Sequence, residues 1–139
     1  MPTPDPLDNR TVDAAPSGGR VGYLLIIEPE ALLRWSLSTY MSKWFDVFPT
    51  ETIEAGLRIL DDHTIDAVVL SDQLDVDAIE RMEATARARN AATRVVRTVT
   101  HLNSGERRPE GFFCIEKPFE LAQLATLLGA GSPDSPPKR

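Results

Sequence analysis

Short apolar runs alternating with helix-period segments predict an α/β protein built on one doubly wound, five-stranded parallel sheet. Three observations carry that prediction. The runs are hydrophobic at successive positions, as strands buried on both faces are. The segments between them repeat apolar residues at helical spacing. Three of the runs, Tyr23 to Ile27, Ile65 to Leu70 and Phe112 to Ile115, end in polar residues: Glu28-Pro29-Glu30, Ser71-Asp72 and Glu116-Lys117-Pro118-Phe119. Ligands of such sheets lie outside the carboxyl ends of the strands, so these polar ends are where function is expected.

The elements follow in order. After the first strand, Leu33, Leu37, Tyr40, Met41 and Trp44 mark one buried face of a helix. Asp46-Val47-Phe48 is a short second strand, and Ile53, Gly56, Leu57 and Leu60 form a second helix entered through Thr50 as N-cap. Ile65 to Leu70 is the third strand, Ile79, Met82 and Ala86 line a weaker third helix, and Val95 to Val99 is the fourth strand. Between Thr100 and Phe112 two glycines, a proline and one large apolar residue read as a loop, so a helix there is shortened or replaced. Phe112 to Ile115 is the fifth strand. Leu121, Leu124, Leu127 and Leu128 belong to a last helix, with Pro118 in its first turn.

At 139 residues with 42% hydrophobic content, the chain suits one domain with a real core. Residues 1–20, rich in proline and aspartate, and residues 131–139 are expected to be flexible tails around a unit at 21–130. A net charge of -6 with scattered basic residues argues against direct nucleic-acid binding, which needs clustered Lys and Arg. No run is long enough to span a bilayer, and a single cysteine, Cys114, excludes an internal disulfide. A cytoplasmic protein is expected. No Gly-rich phosphate loop follows the first strand and no Ser-His-Asp arrangement is evident. His63 and His101 fall in predicted loops with no ligand spacing around them.

Ile27-Glu28-Pro29-Glu30 resembles the acidic cluster after the first strand of response-regulator receiver domains. Asp66-Ala67-Val68-Val69-Leu70 resembles the approach to their phosphoacceptor, and Lys117-Pro118-Phe119 the end of their fifth strand. The order and spacing of these pieces carry the resemblance, which covers nearly the whole ordered unit. It implies a flavodoxin-like strand order 2-1-3-4-5 and a place in two-component signalling. It also implies phosphoryl transfer from a histidine kinase to an aspartate, Mg²⁺ held by carboxylates, a phosphate-binding lysine, and a Ser or Thr ending strand four.

The chain departs from that pattern. Counted from Asp66, the acceptor position falls on Ser71, whose hydroxyl is a poor nucleophile without an adjacent base. A slipped strand end or β-bulge would present Asp72 instead. Pro29 stands where the pattern has a direct metal ligand and offers no side-chain oxygen. Lys117 is retained, Thr98 or Thr100 is the strand-four hydroxyl, and Cys114 takes the place of the switching aromatic. Without phosphate, Lys117 is expected to pair with Glu28 or Asp72. Glu28 and Glu30 are either a residual metal site or acidic residues at a helix start. Trp35 lies off the buried stripe of the first helix and points weakly to a partner surface.

The expectation is therefore a degenerate receiver without a cofactor, acting through a protein partner such as a histidine kinase or downstream regulator, with a homodimer an open option. It is not expected to be an enzyme. Two alternatives stand beside it. One is a working phosphoacceptor that uses Asp72 with Mg²⁺ held by Glu28, Glu30 and Asp72. The other is a ligand or redox sensor using Cys114.

Overall fold

In a computed structural model the described residues are 21–100 and 111–130. The expectations for the two tails, for His101 and for the segment after Thr100 up to residue 110 lie outside them. The strands are β1 (Gly22–Ile27), β2 (Phe45–Thr50), β3 (Ala67–Leu70), β4 (Arg94–Val99) and β5 (Phe112–Glu116). The helices are α1 (Ala31–Met41), α2 (Ile53–Asp62), α3 (Val76–Arg89) and α4 (Leu121–Leu127). All strand pairs are parallel, in the order β2-β1-β3-β4-β5. The doubly wound sheet and its strand order are as expected from the sequence.

Alternation along the central strands builds two cores. Leu24 and Ile26 of β1, Val69 of β3, Val96 of β4 and Ile115 of β5 face Leu37 and Met41 of α1 and Leu124 of α4. Leu25, Ile27, Val68, Leu70 and Val95 face Ile53 and Leu60 of α2 and Ile79, Met82 and Ala86 of α3. Successive residues of a strand point to opposite faces, so a strand covered on both sides must be apolar throughout. That is why Leu24 to Ile27 and Ala67 to Leu70 read as unbroken apolar runs. Pro49 is tolerated inside β2 because β2 is an edge strand.

Several boundaries differ from the sequence expectation: α1 ends at Met41, before Trp44, β2 is longer than 46–48, β3 starts at Ala67 and not at Ile65, and two helix entries are shifted. Thr50 is not the N-cap of α2. It pairs with Ile27 as the last residue of β2, and its hydroxyl donates to the Ile26 carbonyl at 3.0 Å. Thr52 caps α2 instead, accepting the Ala55 amide at 3.1 Å. Pro118 does not open α4. The Lys117 amide donates to the Val99 carbonyl at 2.8 Å, which prolongs the β4–β5 ladder beyond Glu116. The chain then needs a turn, which contains Pro118 after a cis peptide, and α4 begins at Leu121.

Gly56 is where α2 meets the sheet most closely. A Cβ there would stand 2.6 Å from Ile27 Cδ1 and 2.9 Å from Met82 Cε. Gly56→Ala gains helix propensity but overpacks the core, so a net loss of about 1 kcal/mol is expected. Ile27→Val removes the closest atom. Chemical denaturation of the double variant should show a coupling of about 0.5 kcal/mol or more in the compensating direction. Strictly additive losses would mean that the two side chains do not compete for this space.

Candidate functional site

The polar ends of β1, β3, β4 and β5 converge at one edge of the sheet. Register places each residue there. Leu70 pairs with both Ile27 and Arg97, and the Ser71 amide still donates to the Ile27 carbonyl at 3.1 Å. β3 therefore runs through to Ser71 without a bulge, and one step beyond the Leu70–Arg97 pair brings Ser71 beside Thr98. Thr98 is the fully buried in-register residue, and Thr100 stands above it, outside the strand.

Ser71 nevertheless is not the residue beside the lysine. It is fully buried, and its hydroxyl oxygen accepts the Gln73 amide at 3.1 Å. Asp72 is the residue that turns to Lys117. Its Oδ1 accepts from Lys117 Nζ at 3.0 Å, and its Oδ2 accepts from Thr100 Oγ1 at 2.7 Å. Two adjacent residues thus divide the roles of ending the strand in register and facing the lysine, and Lys117 pairs with Asp72, one of the two partners expected for it.

Glu28 closes the pocket from the β1 side. It is 1% exposed, and its Oε2 accepts the Glu30 amide at 2.9 Å. Its Oε1 is buried with no hydrogen-bond partner among the described residues and lies 3.9 Å from Lys117 Nζ. Lys117 thus sits between two carboxylates, pairing with Asp72 and facing Glu28. Burial works to raise the Asp72 carboxyl pKa, but hydrogen bonds from Thr100 and Lys117 and the charge of the ammonium outweigh it, holding the group below its usual 3.8.

The remaining candidates lie off this cluster. Glu30 is exposed at the N-cap position of α1 and makes no side-chain capping bond. It contributes its backbone amide to Glu28. Cys114 is half-buried in β5, paired in register with Arg97. It opens onto a cleft of about 590 Å³ bounded by Glu116, Pro118 and the Gln123, Thr126 and Leu127 side of α4. His63 stacks on Phe48, with ring centroids 4.6 Å apart, and also approaches Tyr23 near the start of β1, at the opposite end of the sheet.

Sequence reasoning missed Arg34. From α1 its Nη1 donates to the Glu28 carbonyl at 2.8 Å and to the Pro29 carbonyl at 3.3 Å, and its Nη2 lies 3.5 Å from Glu51. This guanidinium ties the turn after β1 to the start of α1. Pro29 has no amide hydrogen to fix that turn from within. An arginine one helical turn after a strand end was the available signal.

Mg²⁺ demands near-octahedral oxygen ligation. Pro29 supplies no side-chain oxygen, one oxygen of Glu28 holds the Glu30 amide, and both oxygens of Asp72 carry hydrogen bonds. The ammonium of Lys117 already stands between the two carboxylates. Among the described residues no group of three or more His, Cys, Asp or Glu side chains is placed to hold a metal ion. No helix of the described residues is long and apolar enough to cross a membrane.

The fold is that of response-regulator receiver domains. No family model and no curated protein matches the chain. Solved structures do. A response regulator receiver protein from Sinorhizobium medicae superposes with a TM-score of 0.66 at 23% identity, covering 81% of this chain and 94% of the other. HP1043, an orphan response regulator of H. pylori, gives 0.62 at 20% identity, covering 79% and 98%. The receiver domain of Ssk1, crystallised with the histidine phosphotransfer protein Ypd1 from Saccharomyces cerevisiae, gives 0.54 at 11% identity, covering 79% and 87%.

Proposed function

We propose that this protein is a receiver-like module of two-component signal transduction that works by binding a protein partner, with no phosphoryl group entering its pocket. It is not an enzyme in this reading and uses no Mg²⁺. The observation that carries the reading is Pro29, which stands where the pattern has a direct metal ligand and offers no side-chain oxygen. Ser71 adds to this, since the residue that ends β3 in register has no carboxylate to phosphorylate.

A surface for a partner is available on α1. Leu32 and Trp35, three residues apart and thus neighbours on one helix face, are 69% and 64% exposed. Aromatic anchors of this kind are over-represented among residues that dominate binding energy. The crystallised pairing of a receiver domain with a histidine phosphotransfer protein supports a protein as the partner class.

A second reading is favoured by one specific contact: Asp72, at 3.0 Å from Lys117, is an aspartate in the neighbourhood of the lysine that a working receiver needs. Incubation with acetyl phosphate and Mg²⁺, followed by intact mass and amide NMR, separates the two. The expected result is unchanged mass and unchanged shifts for Ser71 to Leu74. An adduct that survives in Ser71→Ala and disappears in Asp72→Asn would replace the first reading with the second.

A further inference from the structure

α1 presents a face that the domain does not use in its own packing. Leu32, Trp35, Ser36 and Thr39 stand at i, i+3, i+4 and i+7, which gathers them within an arc of about 100° on one side of the helix. Leu32 and Trp35 are the two most exposed large hydrophobic side chains among the described residues, at 69% and 64%. Thr39 is exposed and Ser36 half-buried. The single charged residue of α1, Arg34, is committed to the Glu28 and Pro29 carbonyls and to Glu51. Free charge therefore flanks this face only at its ends, with exposed Glu30 at the N-cap and exposed Lys43 two residues past the last turn.

Size and charge along this face fit it to itself in one orientation. The bulky Leu32 and Trp35 occupy its N-terminal half and the small Ser36 and Thr39 its C-terminal half, so an antiparallel copy sets each bulky half against a small one. The same arrangement brings Glu30 of each copy beside Lys43 of the other, and the Lys43 ammonium is held at that end of the helix, 4.3 Å from the centre of the Tyr40 ring. A parallel copy would oppose bulk to bulk and like charge to like charge.

We infer that the occupant of this face is a second copy of the chain, docked as an antiparallel pair of α1 helices about a two-fold axis near Ser36. Ser36 lies close to midway between residues 30 and 43, and its small side chain lets the two helices approach. An isologous contact of this kind needs a self-complementary patch, in which one residue meets a second and the second meets the first. The inference rests on the partner-binding reading above and names the partner. A helix of 11 residues is about 16 Å long and a pair of them makes a small interface, so a dissociation constant on the order of 100 μM is expected.

Sedimentation velocity of the full chain from about 10 μM to about 1 mM tests this, and the wild type is expected to move from monomer towards dimer across that range. Trp35→Ala is expected to weaken association about tenfold or more. The end charges report the orientation. Glu30→Lys sets two lysines together at each end of the pair and Lys43→Glu two glutamates, so each variant alone is expected to associate several-fold more weakly than wild type. Mixed in equal amounts, the two variants restore an opposite-charge pair at both ends of the heterodimer, and association is expected to return to the wild-type strength.

A wild type that stays monomeric at about 1 mM would overturn the inference. So would a dimer that Trp35→Ala leaves unchanged, or a mixture that associates no better than its two components. Should a variant fail to fold by circular dichroism, the wild type decides: concentration-dependent amide shifts largest at residues 32–39 support the pair, and shifts centred elsewhere overturn it. A monomer that takes no acetyl phosphate adduct sinks this inference alone. A dimer of this kind that gains an adduct on Asp72 sinks the phosphate-free reading alone.

Discussion

Glu83→Ala is expected to destabilise the domain by about 2 kcal/mol, because it removes the charged carboxylate that forks onto the half-buried Arg97 guanidinium. The two side chains meet in a two-bond fork, Nε to Oε2 at 2.7 Å and Nη2 to Oε1 at 2.8 Å. They are only 20% and 11% exposed, so solvent cannot replace the lost partner cheaply. Such a pair is costly to break and adds little over an apolar equivalent. Replacing both residues with methionine should therefore return stability to within about 1 kcal/mol of wild type. Urea denaturation of the two single variants and the double variant measures this. A single-variant loss below about 0.5 kcal/mol, the range of ordinary surface changes, would show that the pair is not sheltered as its burial implies.

Lys117→Met is expected to cost about 3 kcal/mol near neutral pH, since it leaves the buried Glu28 and the partly buried Asp72 without their shared counter-ion. The loss depends on pH in a defined direction. The folded-state pKa of Asp72 lies below the usual 3.8, with two of the lowering influences supplied by Lys117. A carboxyl whose pKa is depressed by folding stabilises the fold above its unfolded value, and that stabilisation disappears as pH falls through the folded value. The gap between wild type and Lys117→Met should therefore narrow as the pH falls from neutrality and close as it drops below 3.8. Thermal unfolding across that range gives the answer. A gap that stayed constant into strong acid would mean that the lysine stabilises the domain through its aliphatic stem and not its charge.

The legibility of this chain varies with the range of the interactions involved. Apolar runs at 24–27 and 67–70 betray strands covered on both faces, because burial on two sides leaves no polar position free. The stripe Ile79, Met82 and Ala86 marks the inner face of α3. The same periodicity includes Glu83, one helical turn beyond Ile79, which is buried. A carboxylate on a predicted inner face was a signal for an ion pair, but its partner Arg97 comes from another element and no local pattern names it. Helix entry was misread at Thr50 for a similar reason. Thr50 and Thr52 have equal capping chemistry, and only pairing with Ile27 assigns the first to a strand.

By itself the sequence determined the doubly wound sheet and the convergence of polar strand ends, and it placed a serine at position 71 and a proline at position 29 among them. These are properties of residue type and period, which are local. Only the tertiary structure decided that Ser71 completes the strand while Asp72 takes the lysine, and that Lys117 stands between Asp72 and Glu28. Those facts depend on the register of four strands and the path of the turn after β3, which bring residues 28, 72, 100 and 117 within reach of one another. Electrostatic pairing acts over a few ångströms of space, and separation along the chain does not encode it.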